Sequence, residues 1–329
     1  MSTTILQQTP GIVRTWVVSR GAGTTVAVVD EGVSARHHPE FRERVSAAAA
    51  LFSAEAADNR VSRPHGVKVA GLAMAGGPHV TGIAPAAFLL PVAVPALSTA
   101  TGGRDEAQGL RWAADHGADI ICCAWAPRKP TTESGKLPAH TRDAIDYCLT
   151  HGRNNKGCVI VFSAGNDGSD LAVNGYASHP GVIAVGACNC HGKHPRYSGW
   201  GGALWCVFPS NDPDDPVGAS MTYLTTAPVG SLLDGEAYYT TRFGFTSAAT
   251  AAIAGICALI VSANPGLTST EVKAVLRDSC EKIDLEGGTY NEHGHSPLYG
   301  YGRPDVARAV ELARSGATTH PASAAAVSR

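Results

Sequence analysis

Four side chains suited to catalysis stand where predicted strands and helices meet. Asp30 follows a β-branched run, and Asn166 follows an apolar run. His65 opens a helix rich in small residues, and Ser247 lies in the first turn of a long apolar helix. In a doubly wound sheet the ends of strands and the starts of helices share one edge, so we expect these residues to meet.

Together these residue types are suited to acyl transfer. The Ser247 hydroxyl becomes a nucleophile when a base such as His65 accepts its proton. Asp30 would stabilise the imidazolium, and the Asn166 amide with the Ser247 backbone N–H would bind the oxyanion. The simpler alternatives are that Ser247 or Thr246 only caps its helix and that Asp30 belongs to a turn.

Predicted strands alternate with predicted helices between residues 24 and 264. This alternation predicts an α/β fold, a doubly wound and mainly parallel sheet with helices on both faces. Residues 1–23 contain several glycines and are predicted to be an irregular lead-in. We expect a single catalytic domain over residues 1–314 and a flexible C-terminal tail over 315–329, where the helical pattern ends.

Composition narrows the choice of partner and compartment. A net charge of −2 gives no reason to expect nucleic acid, and the apolar run 248–263 is shorter than a membrane span. The nine cysteines form no C-x-x-C pair and several lie in apolar runs, which favours free thiols. The N-terminus lacks the features of a signal peptide. We therefore expect a cytoplasmic protein, with a secreted mature form as the alternative.

The sequence around these residues resembles the subtilases, the subtilisin-like serine peptidases. The blocks occur in the family's order: V-A-V-V-D-E-G-V around Asp30, H-G-V-K-V-A-G from His65, S-A-G-N ending at Asn166, and T-S-A-A around Ser247. The resemblance implies a three-layer subtilisin-like fold and a serine endopeptidase with a triad of Ser247, His65 and Asp30. It also implies an oxyanion hole at Asn166, supported by the Thr246 hydroxyl.

The same resemblance implies where a peptide or protein substrate binds. An extended substrate would add as a strand, through backbone hydrogen bonds and side-chain pockets. The residues implied for this are Cys123, Ala124, Trp125 and Ala126 on one wall and Ala164 and Gly165 on the other. Asp167 and Asp170 would either favour a basic residue before the scissile bond or form a solvated turn, and the turn is the preferred interpretation.

The chain also departs from the family's pattern. Two bulky residues, Phe245 and Trp125, are expected to narrow the cleft, and core packing is the alternative for Trp125. The departures are Phe245 for Gly, Ala251 for Pro, Val67 for Thr, Lys68 for His and Ala124-Trp125-Ala126 for Ser-Leu-Gly. None of them removes a catalytic group.

No cofactor is required by this chemistry, and no metal ligands are assigned. Family members often bind Ca²⁺, so the resemblance leaves a structural calcium possible. The loop 76–80 has no carboxylate or amide side chain, so we expect no calcium there. The segment Cys188-Asn189-Cys190-His191 lacks the spacing of a zinc finger, so zinc is not expected either.

Two other functions remain open. An amine acceptor in place of water would make the protein a leader-peptide protease, macrocyclase or transpeptidase of a ribosomal peptide pathway, although no lid-forming insertion is evident. A catalytically weak binding scaffold is the other alternative, because the residues around Ser247 depart from the family's pattern.

Overall fold

The computed structural model describes residues 5–33, 35, 37–48, 50–51, 65–94, 103–126, 137–216, 221–228 and 238–316. At its centre lies a sheet of seven strands, all parallel to their neighbours, in the order β2-β3-β1-β4-β5-β6-β7. The strands are β1 (Thr25–Asp30), β2 (Ala50–Leu51), β3 (Phe88–Ala93), β4 (Ile120–Cys123), β5 (Val159–Ser163), β6 (Ile183–Cys188) and β7 (Leu204–Pro209). This arrangement confirms the predicted α/β fold.

Helices cover both faces of the sheet. They are α1 (Ile5–Gln8), α2 (Ile12–Val18), α3 (His65–Met74), α4 (Arg104–Asp115), α5 (Ala139–Asn155), α6 (Phe245–Ala263), α7 (Ser269–Asp278) and α8 (Val306–Ser315). Alternate side chains of β1 enter different cores: Val26 and Val28 pack with α3 and α6, whereas Ala27 and Val29 pack with α4 and α5. Such strands are apolar throughout because both faces are buried.

Helix α6 is the central helix of one core. Every residue from Thr246 to Val261 is buried. By length and composition its 19 residues could cross a membrane, but 83% of its most apolar stretch is buried inside the fold. Small side chains let α6 approach its neighbours closely, since a Cβ at Gly255 would lie 2.6 Å from the Ile83 Cβ.

Two small antiparallel pairs complete the described structure. β8 (Tyr223–Thr226) pairs with β9 (Tyr239–Phe243), which runs directly into α6. This pair lies outside the main sheet. The other pair is β10 (Cys280–Glu281) with β11 (Arg303–Pro304).

The prediction of an irregular lead-in over residues 1–23 is wrong in part, because residues Ile12–Val18 form α2 and the Ile12 side chain is buried. The glycines that suggested irregularity lie outside this helix. α8 continues to Ser315, and residues 317–329 lie outside the described part of the chain. The division into a domain over 1–314 and a flexible tail stays a prediction.

Candidate active site

Asp30 and His65 form a direct hydrogen bond at the carboxyl edge of the sheet. β1 ends at Asp30, whose carboxylate is buried, and α3 begins at His65. His65 Nδ1 lies 2.8 Å from Asp30 Oδ2, while the Glu31 backbone N–H donates to Asp30 Oδ1 at 2.8 Å. An ionised carboxylate only accepts, so Nδ1 carries the hydrogen and Nε2 is the nitrogen able to take a proton.

The surroundings of His65 favour its protonated form. Desolvation lowers the pKa of the imidazole, but the charge of Asp30 and the hydrogen bond to it outweigh that effect, so the pKa is raised above its ordinary value. The Phe243 ring meets the imidazole edge-on with centroids 5.9 Å apart. The His65 side chain keeps 37% of its surface exposed, so a substrate can reach it.

Ser247, in the first turn of α6, contacts the residue that follows β4, the strand next to Asp30. Its Oγ donates to the Ala124 carbonyl at 2.9 Å. β1 and β4 pair in parallel with Val28 beside Cys122, and continuing that register places Ala124 beside Asp30. Neighbouring strands are about 4.8 Å apart, so the hydroxyl lies close to the Asp30–His65 pair. Among the described residues, Ser247 makes no hydrogen bond to His65, so Oγ would turn away from Ala124 to react.

Asn166 is held so that its amide nitrogen stays available. Its Oδ1 accepts from the Thr246 backbone N–H at 3.0 Å and from Thr246 Oγ1 at 2.6 Å. Ser163 Oγ lies 2.7 Å from Thr246 Oγ1 and steadies the hydroxyl. Within the described residues neither Asn166 Nδ2 nor the Ser247 N–H has a partner. Both can therefore donate to an oxyanion at the positive end of α6.

Two residues that hydrogen-bond to the start of α6, Ser163 and Asn211, were not assigned a role from the sequence. Ser163 stands in the S-A-G-N block, which could have pointed to it. Asn211 Oδ1 accepts the Phe245 backbone N–H at 2.7 Å, and no local signal marks that contact.

Phe245 occupies the position where the family pattern has glycine. Its backbone is left-handed, with φ at +59°, a conformation that glycine adopts freely and other residues rarely. The residue is 40% exposed, and its ring meets the Tyr197 ring edge-on with centroids 4.8 Å apart. Phe245 is thus a partly exposed aromatic residue two positions before Ser247, and narrowing of the cleft by its side chain stays a prediction.

Trp125 packs into the core more than into the cleft. Its Nε1 donates to the Val29 carbonyl at 2.9 Å, and its ring meets Phe162 and Tyr176 edge-on at 5.0 and 5.1 Å. These contacts support the core-packing alternative for the half-buried indole.

The two predicted substrate walls lie side by side. Ala126 Cβ is 3.4 Å from where a Cβ on Gly165 would stand, and Gly165 has a left-handed φ of +97°. Cys123 and Ala164 are buried in the core beside α4 and α5, so any contact they make with a substrate is through the backbone. Direct evidence of substrate contact would come from a bound peptide, so these six assignments stay predictions.

Asp167 and Asp170 make the contacts of turn residues. Asp167 Oδ1 accepts the Ser169 N–H at 3.3 Å, and Asp170 Oδ1 accepts the Ala172 N–H at 2.9 Å. The second bond caps the short 3₁₀ helix Leu171–Val173. These contacts favour the turn interpretation over an acidic specificity pocket.

A buried carboxylate occupies the loop 76–80, where the family often binds calcium. Glu40 Oε2 accepts the Gly77 N–H and Oε1 accepts the His79 N–H, both at 2.9 Å. The Tyr239 hydroxyl also donates to Oε1 at 2.8 Å. These donors engage both oxygens of Glu40. The expected absence of calcium at this loop stays a prediction.

The chain belongs to the subtilase family, whose sequence model matches residues 21–302. It is 41% identical over 323 residues to the Calcium-dependent protease of Trichormus variabilis, covering 91% of this chain and 47% of that one. The chain therefore spans about half the length of the curated relatives it matches.

Solved structures share the fold. A lanthipeptide protease superposes with a TM-score of 0.72 at 21% identity, covering 91% of this chain and 90% of the other. The prenylagaramide maturation protease PagA superposes with a TM-score of 0.67 at 26% identity, covering 92% and 98%. Both resemblances extend over nearly the whole of each chain, which agrees with the fold described above.

Proposed function

We propose that this subtilase is a serine endopeptidase that hydrolyses peptide bonds through Ser247, His65 and Asp30. The observation that carries the proposal is the 2.8 Å bond between His65 Nδ1 and the buried Asp30, with the Ser247 hydroxyl hydrogen-bonded to Ala124, just after the adjoining strand β4. Peptides or proteins are the proposed substrates.

In the proposed mechanism, His65 Nε2 takes the Ser247 proton as Oγ attacks the carbonyl carbon of the substrate. The Asn166 amide and the Ser247 N–H stabilise the resulting oxyanion. His65 then gives the proton to the leaving amine, and the acyl group stays on Ser247. Water, activated by the same imidazole, hydrolyses this acyl-enzyme and frees the serine.

Replacement of the nucleophile tests the proposal. Ser247→Ala is expected to abolish peptide hydrolysis and labelling by a fluorophosphonate, because no hydroxyl remains to be acylated. Ser262→Ala, near the other end of α6, is the matched control and should keep both. Hydrolysis that survives in Ser247→Ala would reject the assignment.

A role in maturing ribosomal peptides, as a leader-peptide protease or macrocyclase, is the second candidate. It is supported by the likeness to PagA, a maturation protease, and to a lanthipeptide protease. Mass spectra of the products discriminate, since cyclisation or transpeptidation gives a product without the added water.

A weak binding scaffold is the remaining alternative, and the Ser247–Ala124 hydrogen bond is the observation that favours it. Formation of a covalent adduct with a serine-directed inhibitor would argue against it.

We further propose that no cofactor is required, that no calcium binds the loop 76–80, and that neither nucleic acid nor membrane is a partner. The nine cysteines, all free thiols, support a reducing compartment such as the cytoplasm.

A further inference from the structure

A second group of reactive side chains lies at the same edge of the sheet. Potential ligand atoms of Cys190, His191 and Asp215 all lie within 4.8 Å of one another. His191 Nε2 is 3.6 Å from Asp215 Oδ2. Cys190 and His191 follow β6 and Asp215 follows β7, so the group joins the loops after two neighbouring strands.

Asn189 explains how two adjacent residues come to face one point. Its Oδ1 accepts the His191 N–H at 3.0 Å and the Lys193 N–H at 2.9 Å, which closes a tight turn. Its Nδ2 donates to Asp215 Oδ2 at 3.2 Å and to Asp212 Oδ2 at 3.0 Å. One side chain therefore shapes the turn and orients the carboxylate that faces it.

We propose that Cys190, His191 and Asp215 bind a zinc-type divalent cation. Thiolate, imidazole and carboxylate are the ligands that zinc takes in proteins, and three of them leave a fourth position for water. Calcium and magnesium prefer oxygen ligands alone and suit this set poorly. Binding breaks the S–H bond of Cys190, forms a bond between sulfur and the cation, and releases one proton to solvent.

For the imidazole and the carboxylate, binding requires little movement. Zinc bonds of about 2.0–2.2 Å in a tetrahedral arrangement place nitrogen and oxygen ligands about 3.4 Å apart. The observed His191–Asp215 distance of 3.6 Å is close to that value. Zinc was not expected from the sequence because the segment 188–191 lacks zinc-finger spacing. Cys188 of that segment is buried in the core, and Asp215 lies farther along the chain.

A cation here would stabilise the loop that supports the nucleophile. Asn211, on the same loop as Asp215, accepts the Phe245 N–H at 2.7 Å. The Tyr197 hydroxyl donates to the Asn211 carbonyl at 2.7 Å, and its ring packs on Phe245. The loop 210–216 therefore contributes Asp215 to the proposed site and contacts Phe245, two residues before Ser247.

Cobalt substitution tests the site without relying on activity. The full chain, stripped with a chelator, is titrated with Co²⁺ and followed by absorption. We expect one equivalent to bind with a thiolate-to-cobalt charge-transfer band that Zn²⁺ then removes. Cys190→Ser should lose the band, whereas Cys280→Ser, which removes the other partly exposed thiol, should keep it.

His191→Ala guards against a folding artefact, because the His191 side chain is 56% exposed and its loss should leave the fold intact. It is expected to weaken Co²⁺ binding at least tenfold, and Asn189→Ala by about 10–100-fold as a residue that orients a ligand. The proposal is overturned if the natural chain shows no band, or if the band survives both Cys190→Ser and His191→Ala.

Discussion

At the scale of single residues, the site depends on how the Asp30 carboxylate controls His65. The carboxylate is 1% exposed and bonded to Nδ1 at 2.8 Å, so its charge acts on the imidazole with little screening by water. Nε2 is thereby left as the proton acceptor. In the proposed mechanism the same pair holds the proton that moves between Ser247 and the leaving amine.

The raised pKa of His65 leads to a prediction about pH. Because only the neutral imidazole can accept a proton, kcat/KM should fall on acidification through a pKa above the ordinary value of about 6.5. Asp30→Asn removes the charge that raises this pKa, so the acid limb should move to lower pH while the rate drops by about 10⁴. pH–rate profiles of both proteins check this, and an unmoved acid limb would contradict it.

The raised pKa of His65 also makes the stability of the fold depend on pH. A folded-state pKa above the unfolded value means that the protonated imidazole stabilises the fold. This contribution is fully present below the unfolded pKa and is lost as the pH rises through the folded-state pKa. His65→Gln should therefore show a weaker dependence of stability on pH across that interval.

Phe245 allows backbone strain to be measured directly. At φ +59° an alanine should be strained by about 1–2 kcal/mol and a glycine hardly at all. We expect Phe245→Gly to be more stable than Phe245→Ala in urea unfolding, the reverse of the usual order at a helix start. Both variants lose the Tyr197 contact equally, so their difference isolates the backbone. An alanine variant as stable as the glycine variant would argue against strain.

At the scale of elements, the close packing of α3 and α6 brings His65 and Ser247 to the same edge of the sheet. Gly71 of α3 lies against β8, where a Cβ would stand 2.8 Å from the Thr226 backbone nitrogen. The Thr226 hydroxyl donates to the Val67 carbonyl at 2.6 Å. β9 then runs into α6, so the β8–β9 pair connects the helix that begins at His65 to the helix that carries Ser247.

Gly255 tests this packing. Its missing Cβ would lie 2.6 Å from Ile83 Cβ and 2.7 Å from the Ala73 carbonyl oxygen, a backbone atom that cannot easily move. Gly255→Ala should destabilise the fold by about 1–3 kcal/mol in spite of alanine's better helix propensity. Gly202→Ala is the control, because a Cβ there meets nothing within 4 Å and should change stability by less than about 0.5 kcal/mol. Denaturant unfolding of both variants measures the difference.

At the scale of the whole molecule, Glu40 links parts that are distant in the chain. Its carboxylate joins the loop 76–80 to Tyr239 of β9. Arg44 reinforces the connection by donating to the Glu40, Met74 and Ala87 carbonyls at 2.7, 3.0 and 2.8 Å. Hydrogen bonds within the protein thus hold this loop to Glu40. That the loop needs no cation stays a prediction.

Glu40→Gln tests that interpretation. A glutamine has one carbonyl oxygen, so at least one partly buried donor loses its acceptor, at a cost of up to about 1–3 kcal/mol, and the melting temperature should fall. Any change in melting temperature caused by Ca²⁺ should be the same size in the variant and the natural chain, because the loop is predicted to offer calcium no ligand. Melting curves with Ca²⁺ and with a chelator decide this, and a calcium shift that disappears only in Glu40→Gln would contradict it.

Much of the fold could be predicted because its signals are local. β1, β3 and β5 are apolar runs, and α7 begins with a capping box in which Thr268 and Glu271 bond each other's backbone. β7 and β9 were not predicted, since their assignment depends on pairing partners far along the chain. α2 was missed because the flanking glycines suggested irregular structure.

By itself the sequence determined the family, the alternation of strands and helices, and the candidates Asp30, His65, Asn166 and Ser247, because motif chemistry and the ends of strands are encoded locally. Only the tertiary structure decided that Ser247 Oγ rests on Ala124, that donors surround Glu40, and that Asp215 joins Cys190 and His191. Each of these joins residues far apart in the chain. Such contacts arise from the packing of whole elements, which no local pattern records.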